Sequence, residues 1–547
     1  MRTRVIGGVV AALVVMGLVP AVAKADPPDP CAPVLACGDD LSAMETLEAK
    51  IDDHLVYGQV LEASFAGPER TPGTVTSLGG WGDSGLWTGT YLAAQSYRYA
   101  TAGKYLADPE VVGEARDFWT GQRAEALARV QAMVAKYHLL TNIGSTWRTS
   151  TRVPPYVTQD PTDPNDRTDF GGGIIQGEPG MLMRACAPTD APPQWAMGQN
   201  KRVFELPSDP NATWTDGKRY FCETAPSRDT YAGTTFGLLA AFDLVSGEDP
   251  AMRASIRDDI LTLGNFLLKY GWNYPRPHGF VSAPPVGHDF DNFASPLFTY
   301  VPMARLNLTN AARHVASVAG SAEQQAQWQA VWAEELASQG PLLGASMEID
   351  AVQPNAGYYK FNLHHLTGLN LFRFVTNPVE QLLVKQAIGV MDKTTGDDVN
   401  AHFEAITYAM TGEPARLDAA VQHLREWRSY RSRTDTGVNT VNSTKCGISI
   451  QCVPDDQYDV MVDPGLDVTV PGTVAKQRAR FPLPVADRPP TDFLWQRPPT
   501  QLDGSSPAHH EAPGIDYLLP YWMLRYYTEV APPALAPFPA WPGPSHQ

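Results

Sequence analysis

The chain has 547 residues, a formal net charge of −17, and a composition that is 43% hydrophobic and 10% aromatic. This composition is typical of a globular protein and excludes a disordered one. The acidic balance argues against nucleic acid and anionic membrane as partners. After the N-terminal segment, no apolar run approaches the roughly 20 residues of a membrane span.

Residues 1–25 have the three parts of a secretory signal peptide. The start, Met1 to Arg4, is basic, residues 5–19 are apolar, and Ala23-Lys24-Ala25 matches an A-x-A cleavage site. We predict cleavage after Ala25 and a secreted or periplasmic protein.

Six cysteines in an oxidising compartment predict structural disulfide bonds. They are Cys31, Cys37, Cys186, Cys222, Cys446 and Cys452. Six cysteines allow about 15 connectivities. The spacing favours Cys31–Cys37 and Cys446–Cys452 as local loops, which leaves Cys186–Cys222 as the third bond. None of the spacings is that of a CxxC zinc site.

The chain divides into a disulfide-stapled tail at 26–40, one domain at 41–530 and a proline-rich tail at 531–547. The pattern predicts an amphipathic helix from Leu41 to Phe65 and mostly loop at 141–222. Residues 431–500 are predicted to be loop-rich with short strands. Further helices with one polar face or none are predicted at 108–140, 233–245, 249–270, 296–318, 323–339, 365–374, 378–391, 405–410, 414–428 and 518–530.

A short polar cluster precedes an almost wholly apolar helix five times in the sequence. These clusters begin at Trp81, Cys222, Tyr358, Asn400 and Pro513. A helix that is apolar all round must be buried on all sides, whereas the helices between them have a charged face. This alternation predicts an all-α fold, an (α/α)6-type toroid of helical hairpins with long loops and few short strands. Parallel inner helices would bring their N-termini, and the polar clusters, to one end.

Three segments, WGDSGLWTGTYLAAQSYRYA, SRDTYAGTTFGLLAAFDLV and NAHFEAITYAM, fit this layout. The arrangement resembles the six-hairpin, (α/α)6-toroid carbohydrate-active enzymes, which include glycoside hydrolases and some polysaccharide lyases. The resemblance covers 41–530 at the level of architecture and matches no single family. It implies a glycan-processing enzyme with aromatic subsites and with carboxylates on the loops.

Paired carboxylates are the groups that most glycoside hydrolases need, one to protonate the leaving oxygen and one to activate water or attack the sugar. Asp83 and Asp229 are the leading catalytic pair, with Glu404 in reserve. Each aspartate could instead cap the helix that follows it. At Asp229 the neighbouring Ser227 could take that role and leave the carboxylate free.

Aromatic, basic and amide side chains near the same helix starts are candidates for substrate binding. They are Trp81, Trp87, Glu178, Arg228, Tyr231, Asn362, His365 and His402. Aromatic faces stack on pyranose rings, and the histidines would bind carboxylate or hydroxyl groups.

Two alternatives to a hydrolase remain open. A polysaccharide lyase would remove a proton α to a uronate carboxylate, with Tyr231, His365 or His402 as base and with Asn362 and Arg228 neutralising the acid. A non-catalytic glycan-binding protein would keep the aromatic cleft without turnover. The partner is a poly- or oligosaccharide in each case.

No cofactor or metal site is predicted. Asp289 and Asp291, beside His288, form an oxygen-rich loop but lack the spacing of an EF-hand. A calcium ion bound there is the less favoured interpretation.

Overall fold

The computed structural model describes residues 35, 38–67, 74–147, 177–198, 203–224, 226–270, 272, 301–352, 358–375, 377–430, 476–485, 488, 493–501, 509–531 and 533, and shorter strand segments between 151 and 175 and between 444 and 463. The predicted signal peptide, Cys31, Cys37, Asp289 and Asp291 lie outside these residues, as do residues 534–547 of the C-terminal tail and the side chains of Cys446 and Cys452.

The described part of the chain is mostly helical, which confirms the predicted all-α class. Its twelve α-helices are α1 (Asp39–Lys50), α2 (Ser84–Ala107), α3 (Gly113–Asn142), α4 (Arg228–Leu244), α5 (Pro250–Lys269), α6 (Val301–Ala319), α7 (Ala322–Val352), α8 (Lys360–Phe374), α9 (Pro378–Thr395), α10 (Ala401–Thr411), α11 (Pro414–Tyr430) and α12 (Ile515–Glu529).

The strands are short and form small antiparallel sheets. They are β1 (Leu55–Val56), β2 (Gln59–Val60), β3 (Glu62–Phe65), β4 (Val75–Gly79), β5 (Thr151–Val153), β6 (Tyr156–Val157), β7 (Thr168–Asp169), β8 (Gly173–Ile175), β9 (Ala185–Pro188), β10 (Val203–Leu206), β11 (Tyr220–Glu223), β12 (Thr444–Cys446), β13 (Ile450–Cys452), β14 (Val460–Asp463), β15 (Lys476–Ala479) and β16 (His510–Glu511). The two three-stranded sheets have the orders β10–β11–β9 and β16–β3–β4.

The even-numbered helices are the buried ones. Every residue of α10 is buried, and only a few residues near the ends of α2, α4, α8 and α12 are not. Among these helices, α2 lies against α4 and α12, α6 against α4 and α8, and α10 against α8 and α12, and α4 also contacts α8. The odd-numbered helices α3, α5, α7, α9 and α11 each pack on the buried helix that precedes them, and α1 packs on α12. Apolar helices are therefore surrounded by amphipathic ones.

The N-terminal ends of several buried helices meet through side chains. Asn362 in the first turn of α8 accepts a hydrogen bond from His402 in the first turn of α10, at 2.8 Å. Asn400, before α10, donates to the carbonyl of Leu494 at 3.1 Å, and Asp516 of α12 accepts from the amide of Leu494 at 3.0 Å. The starts of α8, α10 and α12 therefore lie at the same end of the molecule.

The predicted helix from Leu41 to Phe65 is wrong in its second half. Helix α1 ends at Lys50, a short 3₁₀ turn follows, and residues 55–65 form β1, β2 and β3. Tyr57 and Gly58 adopt positive φ angles of 54° and 73° and make the turn between β1 and β2. Beyond that turn, burial alternates from Glu62 to Phe65, which is the period of a strand.

The long segment 141–222, predicted to be mostly loop, contains a three-stranded sheet in its described part. Cys186 of β9 lies directly opposite Cys222 of β11, and the two form a disulfide bond with a Cα–Cα distance of 4.1 Å. This pairing confirms the third predicted disulfide. Across the described ranges, the helices are either too short or too polar to cross a membrane.

Candidate functional site

Asp83 and Asp229 lie at the starts of α2 and α4. Asp83 immediately precedes the first residue of α2, and within the described part of this helix its side chain makes no capping hydrogen bond. Asp229 is the second residue of α4, where Ser227 and Thr230 form a reciprocal capping box, with the amide of Ser227 donating to Thr230 Oγ1 at 3.2 Å. Neither carboxylate is therefore used to cap its own helix.

Glycines allow α2 and α4 to pack with their backbones in contact. A Cβ atom added to Gly89 would overlap the backbone of Gly233, and one added to Gly237 would lie 2.6 Å from the carbonyl oxygen of Gly89. Near the helix starts, a Cβ atom on Gly85 would lie 2.6 Å from Thr230 Cγ2. Since the starts touch as well as the middles, the two helices run parallel and their first residues are neighbours.

This packing brings the two carboxyl groups close enough for each to influence the other. Burial and the negative charge of Asp229 raise the pKa of Asp83 to about 6, against the opposing effect of Arg184. Two carboxylates in contact cannot both ionise freely, so the pair retains a proton at a higher pH than an isolated aspartate does. The side chain of Asp83 remains 45% exposed, which makes this proton accessible from solvent.

Arg184 supplies a positive charge beside the pair. Its Nη2 lies 3.5 Å from Asp83 Oδ1, and its Nε donates to the carbonyl oxygen of Gly82. Arg184 directly precedes β9, and its amide donates to the carbonyl oxygen of Glu223 at 2.7 Å. The disulfide-linked sheet therefore positions this guanidinium.

A third acidic group, Glu62 of β3, lies near Asp83. Its negative charge contributes to raising the pKa of Asp83. His510 of β16 holds Glu62, with Nε2 3.3 Å from Glu62 Oε2, and its Nδ1 lies 3.3 Å from Ser64 Oγ. Three carboxyl groups, one histidine and one guanidinium therefore form a cluster among the described residues.

Glu404, the reserve catalytic residue, is not part of this cluster. It is 2% exposed, and its two carboxylate oxygens lie 2.8 and 2.7 Å from Nδ1 of His423 on α11. A buried carboxylate that faces an amphipathic neighbouring helix stabilises the packing of α10 on α11. Glu404 does not contribute to the pair formed by Asp83 and Asp229.

The histidines predicted to bind substrate are core residues. His365 and His402 are both 0% exposed, and His365 stacks on Phe403 with ring centroids 4.2 Å apart. Burial lowers the pKa of His365 to about 3 and that of His402 well below its usual value. Asn362, the partner of His402, is also 0% exposed. These neutral side chains are enclosed by Trp495, whose ring lies 4.3 Å from that of His402.

The two predicted tryptophans have different surroundings. Trp87 is 3% exposed, lies under Gly80 and contacts Phe493 with ring centroids 5.2 Å apart, so its faces belong to the core. Trp81 is half-buried and packs beside the apolar cluster that includes Ala185 and Met197. Of the two, Trp81 is the one with surface available to a ligand.

The remaining predicted residues lie on or near the same elements. Arg228 and Tyr231 flank Asp229 on α4; Arg228 is half-buried and Tyr231 is 2% exposed. Glu178 is held by α5, since Lys269 Nζ lies 2.5 Å from its carboxylate and the hydroxyl of Tyr270 donates to it. Tyr231 is thus a packing residue, and Glu178 an ion-pair partner of α5.

Two residues of the cluster, Glu62 and Arg184, were not among the predicted site residues. Glu62 falls within the region predicted as helix, and Arg184 within the region predicted as loop. The alternating pattern after Gly58 was the available signal for Glu62, because it places Glu62 and Ser64 on one face of a strand.

The described residues contain no group of three or more histidine, cysteine, aspartate or glutamate side chains arranged to hold a metal ion. Comparison of the chain with protein-family models, with curated proteins and with solved structures gives no match.

Proposed function

We propose that this protein is an exported glycoside hydrolase in which Asp83 is the general acid. The observation that carries the proposal is the pair of carboxyl groups, Asp83 and Asp229, at the adjoining starts of two buried helices. The proposal includes cleavage of the signal peptide after Ala25, which agrees with the oxidised Cys186–Cys222 pair.

We also infer that the buried and amphipathic helices together form an (α/α)6 toroid. The order in which the even-numbered helices pack, α2–α4–α6–α8–α10–α12 and back to α2, supports this inference. The odd-numbered helices pack outside them. In such a fold the starts of the inner helices line one cleft, and Asp83 and Asp229 stand at two of these starts.

The chemistry of the pair suits the protonation of a glycosidic oxygen. A general acid works best when its pKa lies near the working pH, and the pKa of Asp83 is about 6. Asp229 helps to retain the proton on Asp83 by its negative charge, and Arg184 limits how far the pKa rises. A side chain that is 45% exposed can reach the oxygen of a bound glycan.

No described contact favours the lyase. A lyase base must meet the substrate, whereas His365 and His402 are 0% exposed and Tyr231 is 2% exposed. A glycan-binding protein without activity would not need a pair of carboxyl groups at adjoining helix starts. The hydrolase is therefore the function that the site supports best.

The test is digestion of a panel of plant, algal, bacterial and animal polysaccharides with the mature protein. New reducing ends and the ultraviolet absorbance of unsaturated uronates should be measured in the same reactions. We expect reducing ends without absorbance, and a loss of about 10²–10⁴-fold in Asp83→Asn. Absorbance would support the lyase, and neither signal on any glycan would support the binding protein.

A further inference from the structure

A hydrolase requires more than the carboxyl groups of Asp83 and Asp229. Its two catalytic carboxyl groups are usually about 5–5.5 Å apart in retaining enzymes and roughly 6.5–9.5 Å apart in inverting enzymes. The first turns of α2 and α4, which carry Asp83 and Asp229, are in contact, and the charge of Asp229 acts on Asp83. Two neighbouring carboxyl groups compete for one proton, which leaves a third carboxylate near Asp83 to activate water.

Glu62 is the carboxylate that the sheet β16–β3–β4 brings towards Asp83. Glu62 pairs in register with Gly79, the last residue of β4. The chain then turns back on itself, with the amide of Asp83 donating to the carbonyl oxygen of Gly80 at 2.9 Å. Glu62 is thus one strand and one tight turn away from Asp83, close enough for their charges to interact.

The alternation of β3 gives Glu62 access to solvent. Ala63 and Phe65 are buried, whereas Glu62 and Ser64 occupy the half-exposed face. Opposite Glu62, the absence of a side chain at Gly79 leaves space beside the carboxylate: a Cβ atom there would lie 3.6 Å from Glu62 Oε2. The carboxylate is therefore not covered by a side chain at position 79.

His510 fixes the direction of the Glu62 side chain. Its Nε2 is 3.3 Å from Glu62 Oε2 and its Nδ1 is 3.3 Å from Ser64 Oγ, so the imidazole joins two residues of the same strand face. Both side chains of the ion pair are mostly buried, with 13% of His510 and 17% of Glu62 exposed. A carboxylate held in this way keeps one orientation, and among the described residues its other oxygen, Oε1, has no hydrogen bond or ion pair.

We propose that Glu62 is the general base of an inverting hydrolysis and that His510 is its positioning residue. This inference rests on the proposed glycosidase function. Glu62 removes a proton from water, and the water oxygen bonds to the anomeric carbon as the glycosidic C–O bond breaks. The leaving oxygen takes the proton from Asp83. The proton on Glu62 returns to the aspartate pair through solvent, which restores both groups.

The experiment compares Glu62→Gln and Asp83→Asn on two kinds of substrate: the polysaccharide that the wild-type protein degrades and the 4-nitrophenyl glycoside of the same sugar. The 4-nitrophenolate group leaves without protonation, so Asp83→Asn should lose far less activity on the aryl glycoside than on the polysaccharide. Glu62→Gln should lose about 10²–10⁴-fold on both, because water still needs a base. Glu205→Gln, which removes a surface carboxylate paired with Arg219, is the matched control and should be unchanged.

Two further readouts separate chemistry from folding. Sodium azide should restore turnover of the aryl glycoside by Glu62→Gln and give a glycosyl azide of inverted configuration. Proton NMR of the wild-type reaction should show a product of inverted configuration. His510→Leu should lower kcat with little change in KM, and His510→Gln, which keeps a donor near Glu62, should recover part of it.

Activity of Glu62→Gln within about tenfold of wild type, or a product of retained configuration, would overturn the role of Glu62 while leaving the glycosidase intact. Lack of hydrolysis by the wild-type protein on every glycan would instead refute the proposed function itself.

Discussion

The backbone of Gly89 in α2 lies against the backbone of Gly233 in α4, and this contact sets the distance between the two helices that carry the carboxyl pair. Asp83 and Asp229 meet only because no side chain separates the helices below them. The geometry of the site therefore depends on residues more than one helical turn away from it.

Replacing Gly89 by alanine should damage both stability and activity. The new Cβ atom would overlap the backbone of Gly233, and overpacking of this kind costs about 1–3 kcal/mol of unfolding free energy. Denaturant unfolding and polysaccharide hydrolysis measure the two effects. Gly103→Ala in the same helix is the control, because its Cβ atom would only come within 3.9 Å of Arg123 Nε. That variant should be as active as the wild type and at least as stable, since alanine favours a helix more than glycine does.

The pH dependence of hydrolysis should follow the proton on Asp83. The acid must be protonated to act, so kcat/KM should fall as the pH rises through about 6, the pKa of Asp83. Arg184 lowers this pKa, and Arg184→Gln should therefore move the fall in activity to higher pH. Arg219→Gln removes an arginine of the same sheet that pairs with Glu205, and it should leave the profile where it is. A profile that does not move in Arg184→Gln would contradict the assigned role of Asp83.

Removing the disulfide should weaken the site as well as the fold. Cys186 and Cys222 are 36 residues apart in the sequence, and loss of such a bond typically costs about 2–5 kcal/mol. Cys186→Ala combined with Cys222→Ala should lower the thermal unfolding temperature and also reduce turnover, because the sheet orients Arg184. A reductant should lower the stability and the turnover of the wild-type protein in the same way, and it should have no further effect on the double variant. Equal turnover of both proteins would show that the sheet does not position Arg184.

The buried histidines should make the protein sensitive to acid. The pKa of His365 is lowered to about 3 and that of His402 is lowered too, whereas unfolded histidine titrates near about 6.5. Below that pH the unfolded chain thus binds more protons than the folded protein does. The unfolding free energy should therefore keep its full value above about pH 6.5 and fall as the pH decreases towards 3. His402→Gln should reduce this dependence on pH while keeping a donor for Asn362.

His138 provides the control of opposite sign. Its hydrogen bond to Asp259 raises its pKa, so the stability that it contributes is present at low pH and is lost as the pH rises through its folded pKa. In His138→Gln, the loss of unfolding free energy at low pH should therefore be as large as in the wild type or larger. Identical pH dependence in His402→Gln and wild type would contradict the assignment of His402 as a neutral core residue.

Much of the fold could be predicted because the relevant signals are local. Residues such as Ala405 and Met410 lie in a run without a polar face, and that run is a helix buried at every position. Asp83 and Asp229 were predicted as candidates for the same reason: each is a polar residue directly before or inside the first turn of such a run, and Ser227 marked the cap of α4.

The rest of the site is assembled by contacts between distant parts of the chain. Glu62 meets His510 through the pairing of β3 with β16, two strands separated by more than 400 residues. Arg184 reaches Asp83 through a sheet whose register depends on the partner of Cys186. Helical periodicity carries no information about either pairing. Trp87 and His402 were predicted to bind substrate, and both are buried. Polar and aromatic residues at a helix start can face the core as well as the cleft.

The most direct test of the account is a carbon-13 NMR titration of the aspartate carboxyl groups in the mature protein. The resonance missing in Asp83→Asn identifies Asp83. We predict that it titrates near the pKa of about 6 and that Asp229→Asn lowers this value, because the neighbouring negative charge is removed. An Asp83 resonance that titrates near the ordinary value of about 3.9 and does not respond to Asp229→Asn would contradict the carboxyl pair and the general acid built on it.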